Sequence, residues 1–166
     1  MQLYFRDNMF NRGVTEILDE HQSVAGRLDL KSALGSSIDV YGPQDELVCS
    51  GKFKVFSNKW FITDGRGNEL GVLRCRFSFF SKKYTYEAAG RGSFDIVAPA
   101  FSKEYEILEE SGAQTARFEK VSGWFSAGAY LLDNHGERLD TYELITVIMG
   151  VHEIQKQNNS AAGGAT

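Results

Sequence analysis

Seven basic side chains crowd one part of this 166-residue chain: Lys52, Lys54, Lys59, Arg74, Arg76, Lys82 and Lys83. Residues 51–91 hold nine basic and three acidic side chains, a net of +6, whereas residues 1–50 carry −4 and residues 92–166 carry −6. The total of −4 gives no general pull toward nucleic acid or anionic membranes, so any such chemistry must come from the local block. Clustered lysine and arginine hold phosphate by charge-assisted hydrogen bonds. The plainer alternative is a solvated strand face with lysines guarding its edges. Nucleic acid is not expected, because no aromatic-basic RNA signature accompanies the block.

Little else in the chain has the spacing that catalysis or metal binding needs. His21 and His135 fall in turn-like stretches and His152 in an apolar one, and none has a second His or Cys at ligand spacing. Cys49 and Cys75 are compatible with a disulfide, a ligand pair or two buried thiols. Glu109, Glu110 and Asp133 lie on separate turns with no common partner. There is no G-x-S-x-G elbow, H-E-x-x-H pair or Walker loop. Gly65 to Gly71 looks superficially like a dinucleotide loop, but it joins two strand-like stretches and lacks the helix that would receive a phosphate. No enzyme, cofactor or metal is expected.

The elements that must position the basic block are legible from periodicity. Near the end of the chain, Leu144 to Val151 contains no charge and covers every face of two helical turns. Asp140 and Glu143 open this segment as a capping box. A helix apolar all round is buried, and this one is shorter than the roughly 20 apolar residues of a membrane span. The expectation is a buried helix over about 141–157 followed by a disordered tail at 158–166. Glu153 and Lys156 are expected to mark its exit to solvent, and Gly150 to permit close approach of a strand.

Turn chemistry recurs ahead of the helix. With Asp19, Gly42, Asp64, Glu87, Glu109 and Asp133 as markers, successive gaps are 22–24 residues, the signature of a repeated supersecondary unit. Each marker separates alternating β-branched and aromatic segments, as hairpins require. Six hairpins predict an all-β, closed antiparallel barrel of about twelve strands around the C-terminal helix, one domain over 1–157. Alternation sets Phe53 and Val55 against Lys52 and Lys54, and Leu73, Cys75 and Phe77 against Arg74 and Arg76. The four cations then share the outer face, next to exposed aromatics such as Trp60 or Phe80.

WFITDGRGNELGVLRCRFSFFSKKYTYE (Trp60–Glu87) and the closing VIMGVHEI (Val147–Ile154) carry a family resemblance. Their order and the six-fold period resemble the bacterial LURP-one-related group of the tubby-like superfamily, distantly similar to phospholipid scramblases and tubby C-terminal domains. The chain departs from that pattern at Gly150–Val151–His152–Glu153, where family members end the helix with apolar-Ala-Ile-Asp. The resemblance implies anionic phospholipid headgroups as partners of the outer cations, since tubby domains hold phosphoinositides on the barrel exterior. The alternative is a protein-interaction module whose rim recruits a partner. Scramblases respond to calcium, but no turn here has the ligand density of an EF-hand loop. The N-terminus, MQLYFRDNMF, is no signal peptide and Gln2 excludes myristoylation, so the expected location is cytoplasmic, at the inner membrane surface if lipid is bound.

Overall fold

The computed structural model describes residues 1–32, 36–54, 57–77, 82–98, 103–123 and 128–163. Its strands are β1 (Gln2–Arg6), β2 (Gly13–Leu18), β3 (Val24–Ser32), β4 (Ser36–Tyr41), β5 (Leu47–Phe53) and β6 (Trp60–Asp64). They continue with β7 (Glu69–Phe77), β8 (Lys82–Ala88), β9 (Gly92–Val97), β10 (Tyr105–Glu109), β11 (Gln114–Val121) and β12 (Ala129–Asn134). A 3-10 turn, Asp7–Phe10, joins β1 to β2, and helix α1 (Thr141–Gly163) ends the described chain. Every strand pairs antiparallel with its neighbour in sequence, and β1 closes the barrel on β12 from Gln2 opposite Asp133 to Arg6 opposite Ala129.

Five of the six expected turns form, and their side chains say why. Oδ1 of Asp64 accepts the backbone N–H groups of Arg66 and Asn68 at 2.9 and 2.8 Å. Oδ1 of Asp19 does the same for His21 and Ser23, both at 2.8 Å. One carboxylate thus satisfies the backbone donors a tight hairpin exposes, while Gly67 supplies the positive φ of +87° at the β6–β7 turn. The sixth expected hairpin, at Asp133–Gly136, is not one. There Nδ2 of Asn134 donates to the Leu139 carbonyl and to Thr141 Oγ1, which turns the chain straight into α1. The strand that completes the dozen is β1, at the other end of the sequence.

Helix α1 fills the lumen. Leu144, Ile145, Val147, Ile148, Met149, Val151 and Ile154 are all buried. It leans against β4 to β7, where glycines leave room. A Cβ on Gly150 would lie 2.5 Å from Cδ1 of Trp60, and one on Gly51 would lie 2.5 Å from its Nε1. What Gly150 admits is therefore the Trp60 indole of β6, whose Nε1 donates to the Thr146 carbonyl at 3.1 Å. Bulky aromatics fill much of the remaining lumen, where Tyr105 and Tyr130 stack on Phe118 at 5.9 and 5.1 Å.

Three details of the helix depart from expectation. Asp140 caps it as foreseen, its Oδ1 accepting from Tyr142 N at 2.8 Å, but Glu143 does not reach back to complete a box. Its carboxylate is taken by Arg91 and Tyr86 instead. The helix also outruns Gln157 and reaches Gly163. Ala161 and Ala162 favour helix, and no breaker intervenes before the glycines. Glu153 is buried, so the exit to solvent comes at Lys156.

Candidate functional site

Strand register assembles the basic residues on one wall. Residues directly opposite across a ladder share a face. Lys52 on β5 faces Phe61 on β6, Phe61 faces Val72 on β7, and Val72 faces Glu87 on β8. Two residues further along β7, Arg74 faces Thr85; two further still, Arg76 faces Lys83. Lys54 follows β5 and Lys59 precedes β6, at the same end of the wall. The inner row, Phe53–Trp60–Leu73–Tyr86, lies on the opposite face of the same four strands.

Lys52, Lys54, Arg76 and Lys83 are exposed, while Lys59 and Arg74 are half-buried. The side chain of Lys82 lies outside the described residues, although its backbone pairs with Phe77. Two carboxylates interrupt the wall. Glu87 holds Arg74, Nη2 to Oε2 at 2.9 Å, and Arg76, Nη2 to Oε1 at 3.7 Å. Glu69 stands 4.0 Å from the Lys54 ammonium, which also lies 3.8 Å from the Phe61 ring centroid. Lys52, Lys59 and Lys83 make no ion pair among the described residues.

One sequence reading of this wall is corrected. Trp60 is fully buried, because the two-residue period that turns Ile62 inward does the same to Trp60. The aromatic beside the cations is Phe61. Phe80 and Val55 lie outside the described residues.

Elsewhere, polar groups serve the fold. Buried Glu143 receives Arg91 Nη1 at 2.6 Å and Nη2 at 2.8 Å, and the Tyr86 hydroxyl donates to the same carboxylate. Burial, then the charge of Glu143, pushes that hydroxyl's pKa up. The His152 ring lies against Phe10, centroids 4.5 Å apart and tilted by 41°, and burial depresses its pKa. His21 lies beside Glu20 and His135 beside Asp133, on turns. The two cysteines are not joined in a disulfide; burial pushes the Cys49 thiol up to about 12, and Cys75 is half-buried. Among the described residues no group of three His, Cys, Asp or Glu side chains is placed to hold a metal, and no helix is long and apolar enough to cross a membrane.

With the barrel and its wall in view, the chain can be set beside known proteins. No protein-family model and no curated protein matches it. Among solved structures it is similar to the X-ray structure of a protein from Arabidopsis thaliana, AT5G01750, with a TM-score of 0.58 over 91% of each chain. Sequence identity is 12%. The likeness is one of fold. It covers the barrel and assigns no ligand to the cations.

Proposed function

We propose that this is a non-enzymatic binding domain whose β5–β8 wall engages anionic phosphate groups, with phospholipid headgroups at a membrane surface as the ligand. The observation that carries this reading is the set of three cations, Lys52, Lys59 and Lys83, that make no ion pair among the described residues, on one wall of a chain with net charge −4. Opposite Lys83 stands Arg76, and like charges directly across a ladder cost stability. Such a placement is compensated when an anion binds between them. Phe61 and the lysine stems add apolar surface of the kind that rests against a headgroup layer. The LURP-one-related, tubby-like resemblance of Trp60–Glu87 supports the same ligand class, since the exterior cations of tubby barrels hold phosphoinositides.

Vesicle co-sedimentation tests the proposal. The protein should bind vesicles containing phosphatidic acid or phosphatidylserine in preference to pure phosphatidylcholine, and added salt should weaken the binding steeply. Equal partition onto neutral and anionic vesicles would remove the lipid role and leave a protein-interaction module in its place.

A further inference from the structure

Resting on that reading, we infer that Glu87 is a built-in counter-ion, occupying the Arg74–Arg76 fork that a phosphate group must take over. Both of its oxygens are engaged, each by a different guanidinium, at 2.9 Å from Arg74 and 3.7 Å from Arg76. A carboxylate between two guanidiniums stands where two oxygens of a phosphate would stand. The side chain of Glu87 is 38% exposed and that of Arg76 65%, so the pairing is of the weak, solvent-screened kind that a stronger anion displaces.

Two further observations point to a phosphate rather than another carboxylate as the displacing group. Nε of Arg74 is covered from water and has no acceptor among the described residues, so Glu87 leaves donors of the fork unused. A terminal phosphate has three acceptor oxygens where a carboxylate has two. Beyond the fork, Arg76 and Lys83 stand opposite one another, and Lys83 has no carboxylate within ion-pair distance among the described residues. The fork and Lys83 together match a dianionic phosphate monoester, either on a lipid such as phosphatidic acid or free in solution.

The test compares the parent chain with Glu87→Gln and, as a control of equal charge, Glu69→Gln on the same wall. Binding is measured to phosphatidylcholine vesicles doped with phosphatidic acid and, separately, to free pyrophosphate by calorimetry, with a thermal melt for each variant. Glu69→Gln should tighten vesicle binding by about fivefold, the weight of one unit charge near an anionic surface. Glu87→Gln should tighten it by roughly tenfold to thirtyfold, because two guanidiniums are released. Adding Arg74→Gln and Arg76→Gln should abolish that difference. Glu87→Thr, a good strand former, carries the same expectation and replaces the Gln variant if that one melts early. A gain on both probes identifies the phosphate itself as the ligand, and a gain on vesicles alone identifies the lipid-borne form. If the parent binds and Glu87→Gln gains no more than Glu69→Gln, the counter-ion role is overturned while the wall keeps its ligand through the lysines. If neither parent nor variant binds either probe, the reading of the wall itself fails.

Discussion

Arg91 grips Glu143 with both arms of its guanidinium, Nη1 to Oε2 at 2.6 Å and Nη2 to Oε1 at 2.8 Å, and so ties the β8–β9 turn to the first turn of α1. Nη2 also donates to the Leu70 carbonyl at 2.9 Å, and the Tyr86 hydroxyl supplies the carboxylate with a third donor. Glu143 is 1% exposed, so its charge is tolerable only while these donors stay. Arg91→Met should therefore cost about 3–5 kcal/mol, the penalty for leaving a buried charge without its partner. Arg91→Met combined with Glu143→Met should recover most of that loss, because an apolar pair needs no donors. Urea denaturation of the two variants checks both expectations. A single-variant loss below about 1 kcal/mol would show that water or another group replaces the guanidinium.

Gly150 is the second place where α1 depends on one residue. Replacing a mid-helix glycine with alanine ordinarily gains about 1 kcal/mol. Here the added methyl meets the Trp60 indole at 2.5 Å, between the helix and Gly51. Overpacking of that kind costs about 1–3 kcal/mol, so Gly150→Ala should destabilise overall. In a Trp60→Leu background the same substitution should turn neutral or stabilising. A double-mutant cycle by thermal melting reads the coupling directly, and additive effects would mean that the indole does not abut the helix.

Much of this architecture was legible in the residues. The unbroken apolar run Leu144–Val151 demanded an enclosing sheet, and the Asp-centred turns set its period. The strand β1 is not legible in sequence because it meets β2 through a 3-10 turn and only Tyr4 and Phe5, while its full-length partner, β12, is reached only when the barrel closes. From sequence Glu143 reads as the second half of a capping box and Glu153 as a solvent marker, yet both are buried. A charge inside a barrel is invisible in sequence unless its donor is known, and Arg91 lies 52 positions from Glu143. The basic wall was foreseen through alternation, and the same rule, applied one strand over, would have turned Trp60 inward. The pairing of Arg74 and Arg76 with Glu87 required strand register, which the repeat alone does not fix.

His152 sets a pH dependence that can be assigned a sign. Burial depresses its pKa below 6.5, Glu153 works in the opposite direction, and Lys103 and Lys156 add to the depression. The Lys103 ammonium lies 4.9 Å from the Phe10 ring that His152 packs against. The unfolded chain therefore binds this proton more readily than the folded one, and stability rises with pH through this window. The contribution is fully present above about pH 6.5 and is lost as pH falls below it toward the depressed folded value. Thermal melts from about pH 7.5 to about pH 5 should show a decline. His152→Phe keeps an aromatic partner for Phe10 and should flatten it. The same decline in that variant would assign the effect to other groups.

The wall itself predicts opposite signs for binding and stability. Lys52, Lys59 and Lys83 make no ion pair among the described residues, and Lys83 faces Arg76 across the β7–β8 ladder. No described ion pair ties their charges to the fold, and the Arg76–Lys83 opposition works against it. Near an anionic surface each is worth about 1 kcal/mol, decaying within a Debye length. The triple variant Lys52→Gln, Lys59→Gln, Lys83→Gln should lose about two orders of magnitude in affinity for anionic vesicles. Its melting temperature should hold or rise by a degree or two, since relieving one exposed like-charge pair is worth a few tenths of a kcal/mol. Vesicle titration at low and moderate salt, paired with a melt, reads both quantities from one preparation. Affinity and stability falling together would mark these lysines as parts of the barrel rather than of a site. A parent-like affinity would shift the anion contact onto Arg74 and Arg76 alone.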